Sequence, residues 1–241
     1  WEIKEFTVPT EAKDYSALQH MAFLEKLTIE NGITGQLHHI ASLANLNELS
    51  IINVPVSQDE LEYIATLPAL KSLTLQGCSL SSINPLNKAT SLISLDLNNN
   101  TIRNLQPISA LTNLQSLNLQ HNAVTSLDAI SAIAALSDLD VSYNSLTTLS
   151  HISNLTNLAT LNASYNSISD LGNLNALKSL RKINISSNKL TDVDTLASCI
   201  ELTDVDISSN NLTDISVLAA LSNVLYFDFS YNHVKELPAF S

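Results

Sequence analysis

Apolar residues recur along this chain with a period of 22. In the pattern L-x-x-L-x-L-x-x-N-x-L, with L any apolar residue, one unit reads Leu92, Leu95, Leu97, Asn100, Ile102. The register continues unbroken through Leu114-Leu117-Leu119-Asn122-Val124, Leu136-Leu139-Val141-Asn144-Leu146 and Leu158-Leu161-Ala163-Asn166-Ile168. It runs on through Leu180-Ile183-Ile185-Asn188-Leu190, Leu202-Val205-Ile207-Asn210-Leu212 and Val224-Phe227-Phe229-Asn232-Val234. A fixed period of this length, held through seven units, marks a stacked solenoid. The L-x-L segment alternates apolar and polar residues, as a short strand with one buried face does. After the Asn, more apolar residues follow in steps of three, as in Leu105-Ile108-Leu111, Leu127-Ile130-Ile133, Leu149-Ile152-Leu155 and Val193-Leu196-Cys199. That step predicts 3₁₀ or short helical turns on the outer side. The expected fold is an α/β right-handed solenoid of about ten such units, with a parallel sheet on the concave face and helical turns on the convex face.

The earlier units are looser. Leu70-Leu73-Leu75-Cys78-Leu80 has Cys for Asn, Leu46-Leu49-Ile51-Val54-Val56 lacks the Asn, and Leu24-Leu27-Ile29-Gly32-Thr34 lacks the Asn and the aliphatic after it. The unit at 46–69 is 24 residues long. Its extra residues lie in VSQDELEYIATLP, where Ser57 and Glu60 form a capping-box signature and Leu61, Ile64 and Leu67 have helical spacing, so an α-helix over 58–66 is expected. Residues 1–23 read as an N-terminal cap, with WEIKEFTV a candidate capping strand and Tyr15-Leu18-Met21 the outer half of a unit. The array spans 24–237, and 238–241 are either a truncated end or a plug built on Phe240, with continuation the preferred reading.

The Asn positions have a physical reason. Where the chain turns out of each strand, inward backbone groups lose their sheet partners. A buried amide carries two donors and an acceptor, enough to bond its own turn and the backbone of the next unit. Asn100, Asn122, Asn144, Asn166, Asn188, Asn210 and Asn232 should form one ladder, with Cys78 standing in as a weak thiol donor. The two cysteines, Cys78 and Cys199, are separated by more than five units, roughly 25 Å at the spacing of neighbouring strands, and are expected as buried free thiols.

On these residues the chain resembles the leucine-rich repeat proteins of the 22-residue class, which includes bacterial internalins and a regulatory subunit of protein phosphatase 1. The strings LDVSYNSL, INISSNKL and VDISSNNLTDISVLAALSNV carry the resemblance over about residues 24–237. It implies protein binding across the concave face. Internalins also have a helical N-terminal cap and an immunoglobulin-like domain after the repeats, and neither pattern is evident in this sequence.

Charge narrows the partners. With 11 Lys and Arg against 23 Asp and Glu, the formal net charge is -12. Phosphate backbones need a basic footprint, so nucleic acid is excluded as the expected ligand. No apolar run reaches membrane-spanning length. No cofactor is expected. Six scattered histidines, four glycines and the lack of G-x-S-x-G or C-x-x-C motifs leave no catalytic constellation.

Strand residues between the buried aliphatics should face the solvent, and two groups stand out there. Asp96, His121, Asp138, Asp140, Tyr143 and Tyr165 combine carboxylates with two tyrosines one unit apart, a composition typical of interface anchors. Asp204, Asp206 and Asp228, with Tyr226 and Tyr231, form a weaker candidate for a cation or a basic partner. Five glycosylation sequons, at Asn99, Asn154, Asn162, Asn184 and Asn211, follow from the Asn/Ser/Thr-rich repeat and read as unused. The expected function is recognition of a protein by a monomeric module of an exported or cell-surface bacterial protein. The alternatives are an intracellular, cytoplasmic scaffold or regulatory subunit, and a targeting domain attached to a separate catalytic domain.

Overall fold

The computed structural model describes residues 2–237. Its eleven strands follow one another in chain order in one parallel sheet. They are β1 (Glu5–Val8), β2 (Lys26–Glu30), β3 (Glu48–Ile52), β4 (Ser72–Gln76), β5 (Ser94–Asp96), β6 (Ser116–Asn118), β7 (Asp138–Asp140), β8 (Thr160–Asn162), β9 (Lys182–Asn184), β10 (Asp204–Asp206) and β11 (Tyr226–Asp228). The fold is that of a leucine-rich repeat solenoid. The chain divides into two units, Trp1–Asn122 and Ala123–Ser241.

The first unit holds β1 to β6. Alternation places Leu27, Ile29, Leu49, Ile51, Leu73 and Leu75 inside, all at most 1% exposed. Burying each such side chain is worth roughly 1.5–3 kcal/mol. Returns between strands are 3₁₀ turns, except between β3 and β4, where an α-helix, α1 (Gln58–Ala65), takes their place. This is the long unit: Leu49 pairs with Leu73 across the sheet. Ser57 and Glu60 form the reciprocal capping box at its start. Glu60 is only 6% exposed. Its carboxylate accepts from the Ser57 N–H and from the Leu37 N–H at 3.3 Å on the preceding return. A buried carboxylate needs such donors, and here they also tie the helix to its neighbour.

The cap explains the degenerate first repeat. Tyr15 is 2% exposed, and its hydroxyl accepts from the Ile33 N–H at 2.9 Å. Gly32 stands where the repeat wants Asn, because a Cβ there would lie 2.2 Å from the Tyr15 hydroxyl oxygen.

In the second unit the strands step by one repeat in strict register, Thr160 against Lys182, Lys182 against Asp204 and Asp204 against Tyr226. Leu139, Leu161, Ile183 and Val205 fill the interior. The 3₁₀ returns are Asp128–Ile130, Ser150–Ile152, Asp194–Ser198 and Ser216–Ala220. Between β8 and β9 the return has no 3₁₀ turn. There Gly172 takes φ +62°, and the Leu174 N–H is caught by the Thr195 hydroxyl at 2.9 Å. In the last repeat, Val224, Phe227 and Phe229 are only half-buried, although the same positions are sealed in earlier repeats. Positions 238–241, including Phe240, lie outside the described residues.

The amide ladder forms with one correction: each Asn bonds back to the preceding repeat, not forward to the next. Asn188 Nδ2 donates to Ala163 O of the preceding repeat and to Ile185 O and Ser186 O of its own turn, all within 3.1 Å. Its Oδ1 accepts from the preceding Ile168 N–H at 2.9 Å. Asn100 and Asn122 make the same set in the first unit, to Leu75 O and Leu97 O. In the second unit Asn144 Oδ1 accepts from Val124 N–H, and Asn166, Asn210 and Asn232 repeat the pattern, with Asn232 reaching Ile207 O. The direction follows from the turn, which leaves the amide beneath the strand end of the repeat just completed. Cys78 donates its thiol to the preceding Ile51 O at 3.3 Å. Burial pushes that thiol up to about 12, which keeps the donor proton in place. Cys78 and Cys199 are both buried and free.

Candidate functional site

Each strand ends in a repeated turn, and that turn decides what the sheet face offers. The middle strand residue, where it is Asp or Asn, bends its side chain to accept the N–H two residues on. Asp96 Oδ1 takes Asn98 N–H at 2.9 Å and Asp140 Oδ1 takes Ser142 N–H at 2.9 Å. Asp206 and Asp228 do the same with Ser208 and Ser230, as Asn118, Asn162 and Asn184 do with their own turns. This is an Asx turn, in which a short side chain replaces a strand partner. The central column of carboxylates is therefore a set of turn formers, not a row of free charges.

The next column is left-handed. Asn31, Asn53, Asn99, His121, Tyr143, Tyr165, Ser187, Ser209 and Tyr231 all have φ between 49° and 55°. Asn and His tolerate this region, whereas a tyrosine there costs about 1 kcal/mol. The run Asn31, Asn53, Gly77, Asn99 at one position carried the signal for that conformation in the sequence.

Asp96 and His121 belong to the first unit. Asp96 also accepts from Asn118 Nδ2 at 3.2 Å. The other members of the first group belong to the second unit. Tyr143 and Tyr165 stack with ring centroids 4.2 Å apart and planes 9° from parallel. They stay 37% and 51% exposed. Partial desolvation, then the neighbouring Tyr165 phenol, hold the Tyr143 hydroxyl above the ordinary tyrosine range. Asp140 spends both oxygens inside the fold, on Ser142 and on Asn162 Nδ2 at 3.0 Å. Asp138 is exposed and accepts from the Ser137 hydroxyl.

The cation candidate is corrected. Among the described residues no group of three His, Cys, Asp or Glu is arranged to hold a metal ion. Asp204 is taken by the Thr203 hydroxyl at 2.7 Å and by Lys182 Nζ at 3.6 Å. Asp206 and Asp228 each have one oxygen pinned in a turn, so the three carboxylates do not converge. The aromatics of this group are open: Tyr226 is 53% and Tyr231 85% exposed. A feature not read from the sequence lies beside them. Asn162, Lys182, Asn184, Asp204, Asp206 and Tyr226 line a hollow of about 340 Å³ on the sheet face.

The turn carboxylates give a pH dependence. The Ser230 hydroxyl and then its N–H hold Asp228 below the usual carboxylate value of 3.8. The N–H groups of Ser16 and Ser216 do the same for Asp14 and Asp214. A depressed folded pKa stabilises above the unfolded value, and that contribution is lost as pH falls through the folded one. The melting temperature should stay flat from neutral pH to about 5 and drop below about 4. Asp14→Asn/Asp214→Asn/Asp228→Asn should flatten the acid limb, and an unchanged acid profile in this variant would contradict the assignment.

Comparisons agree with the geometry. Family models described as leucine rich repeats in two copies and as leucine rich repeat match residues 156–198, 112–168 and 198–219. No curated protein matches the sequence. Among solved structures, an internalin (inlF) of Listeria monocytogenes is 26% identical with a TM-score of 0.84, covering 91% of this chain and 64% of its own. A leucine-rich repeat protein of Leptospira interrogans is 25% identical with a TM-score of 0.85, covering 96% of this chain and 59% of its own. Internalin C2 of Listeria monocytogenes is 26% identical with a TM-score of 0.67, covering 86% of this chain and 81% of its own. The chain thus spans less than two thirds of the first two. With its 22-residue repeat, its amide ladder and its parallel sheet, the chain has the leucine-rich repeat fold and is similar to the internalins.

Proposed function

We propose that the chain recognises a protein partner through its sheet face, with the stacked Tyr143 and Tyr165 as an anchor. One observation carries this reading. Two large rings are held in the open on neighbouring repeats, on backbone that disfavours them, in a column that otherwise holds Asn, Gly, His and Ser and, at its far end, Tyr231. Stability alone would favour Asn or Gly there. Rigid aromatics supply contact area at low entropy cost and recur as interface hot spots. A long repeat surface suits recognition better than catalysis, and we assign the chain no enzymatic role. We further propose that it acts outside the cell or at its surface, on the strength of its likeness to internalins. Among the described residues no helix is long and apolar enough to cross a membrane.

The test uses Tyr143→Asn/Tyr165→Asn. Asparagine suits the left-handed turn, so the variant should melt no lower than the parent. Affinity capture from candidate host or environmental extracts should lose its partner, with a drop of about thirtyfold for two anchors near 1 kcal/mol each. A folded variant that captures the same partner equally well would refute the anchor.

A further inference from the structure

We infer that the partner of this sheet face presents a basic segment, an arginine-bearing loop or tail, which seats in the hollow lined by Asp206 and Tyr226 and extends to the open face of Tyr165; this rests on the reading of the sheet face as a protein-binding surface. The argument is one of charge and shape within the second unit. The strand residues of β7 to β11 include five carboxylates, Asp138, Asp140, Asp204, Asp206 and Asp228, against one lysine. That lysine, Lys182, is already beside Asp204. A partner with acidic or phosphate groups would be repelled, and a basic one drawn in.

The detail of the surface selects a planar cation. Asp206 and Asp228 pair in register on neighbouring strands. Each has Oδ1 fixed by its own turn, and no described residue donates to either Oδ2. The free oxygens are thus held in place about one strand spacing apart, ready to accept from one guanidinium or from two neighbouring cations. Tyr165 has one face against Tyr143. Ser187 and Ser209 follow it in the same column, and neither is large enough to cover the other face. An arginine of the same segment can lie flat on that open face, stacked on the ring, where an ammonium gains less. Tyr226 and Asp206 line the hollow together with Lys182 and the short Thr160, Asn162 and Asn184.

The variants needed are conservative. Asn already fills the central column at Asn162 and Asn184, where it makes the same turn bond. Asp206→Asn/Asp228→Asn therefore removes charge and keeps the turn. Asp192→Asn/Asp194→Asn makes the same change in net charge on the return side. The probes are glycine-serine peptides of equal length with a central arginine cluster or a central glutamate cluster, titrated against the whole chain by fluorescence anisotropy. The arginine peptide should bind, weaken about fivefold with Asp206→Asn/Asp228→Asn and about fivefold with Tyr165→Asn, and be unaffected by the return-side pair. The glutamate peptide should not bind. An equal loss from the return-side pair would show only bulk attraction and overturn the inference, as would failure of the arginine peptide to bind. Captured natural partners separate the two levels. If Tyr143→Asn/Tyr165→Asn releases the partner and Asp206→Asn/Asp228→Asn does not, the sheet-face reading stands and the basic segment falls. If neither variant releases it, both fall.

Discussion

Asn188→Ala should cost about 3 kcal/mol or more in unfolding free energy, measured by urea denaturation. The side chain is 9% exposed and serves four backbone groups at once. Alanine leaves the Ile168 N–H without its acceptor and removes one of the two side-chain donors from each of the Ala163 and Ile185 carbonyls, which keep Asn166 and Asn210. The orphaned N–H costs about 1–3 kcal/mol and each lost bond to a carbonyl about 0.5–1.5 kcal/mol, less whatever relaxation or water recovers. Two of these groups belong to the preceding repeat, so the damage crosses a repeat boundary. Hydrogen exchange should quicken in the repeats on both sides of Asn188, because a solenoid is held together through its nearest neighbours. Asn188→Cys offers a graded control. Cys78 shows that a thiol can reach the same class of carbonyl, at 3.3 Å, but it lacks the carbonyl acceptor of the amide. The expected order of stability is Asn, then Cys, then Ala. Equal stability of all three would remove the ladder from the account of what holds the repeats together. Binding of a sheet-face partner should survive in any variant that stays folded, since the amide points away from that face.

Gly172→Ala should be nearly as damaging, by about 3 kcal/mol. Two costs combine. Gly172 sits at φ +62°, and a Cβ built there would lie 2.4 Å from Ser150 Cα and 3.0 Å from Ser150 N. Those atoms are backbone of the preceding return and cannot swing aside as a side-chain tip would. The left-handed conformation alone costs an alanine about 1 kcal/mol. The remainder is the displacement of one return from the next. The return around Gly172 has no 3₁₀ turn and leans on the Thr195 hydroxyl for the Leu174 N–H. Forcing it outward should loosen that bond too. A melting temperature within a degree or so of the parent would mean that the return moves freely.

Much of this was legible in the sequence because a repeat states each rule many times. The alternation around Leu117, Leu139 and Leu161 fixed which side chains are buried. The spacing after each Asn announced the 3₁₀ returns, and Ser57 with Glu60 announced the helix. Tyr143 and Tyr165 could be read as neighbours one repeat apart, and they do stack. Other features were out of reach for identifiable reasons. Asp96, Asp140, Asp206 and Asp228 looked like free surface charges because alternation reports which face a side chain is on, not what it bonds. Their bonds are local Asx turns, which form only once the strand ends two residues later. The amide ladder was read as reaching forward, because spacing carries no sign along the stacking direction.

The periodic sequence by itself determined the repeat, its buried column and its sheet, since apolar burial at fixed intervals permits only one way to stack the strands. The tertiary structure alone decided which polar atoms remain available to a partner. That depends on distances between repeats: Asp140 loses both oxygens to Ser142 and Asn162, while Asp206 and Asp228 each keep one. It also depends on the left-handed turn, which no single residue specifies and which holds Tyr165 and Tyr231 out in the open. Patterns of hydrophobicity fix where the chain is dry. Only the assembled backbone fixes where its remaining polarity and aromatic surface point.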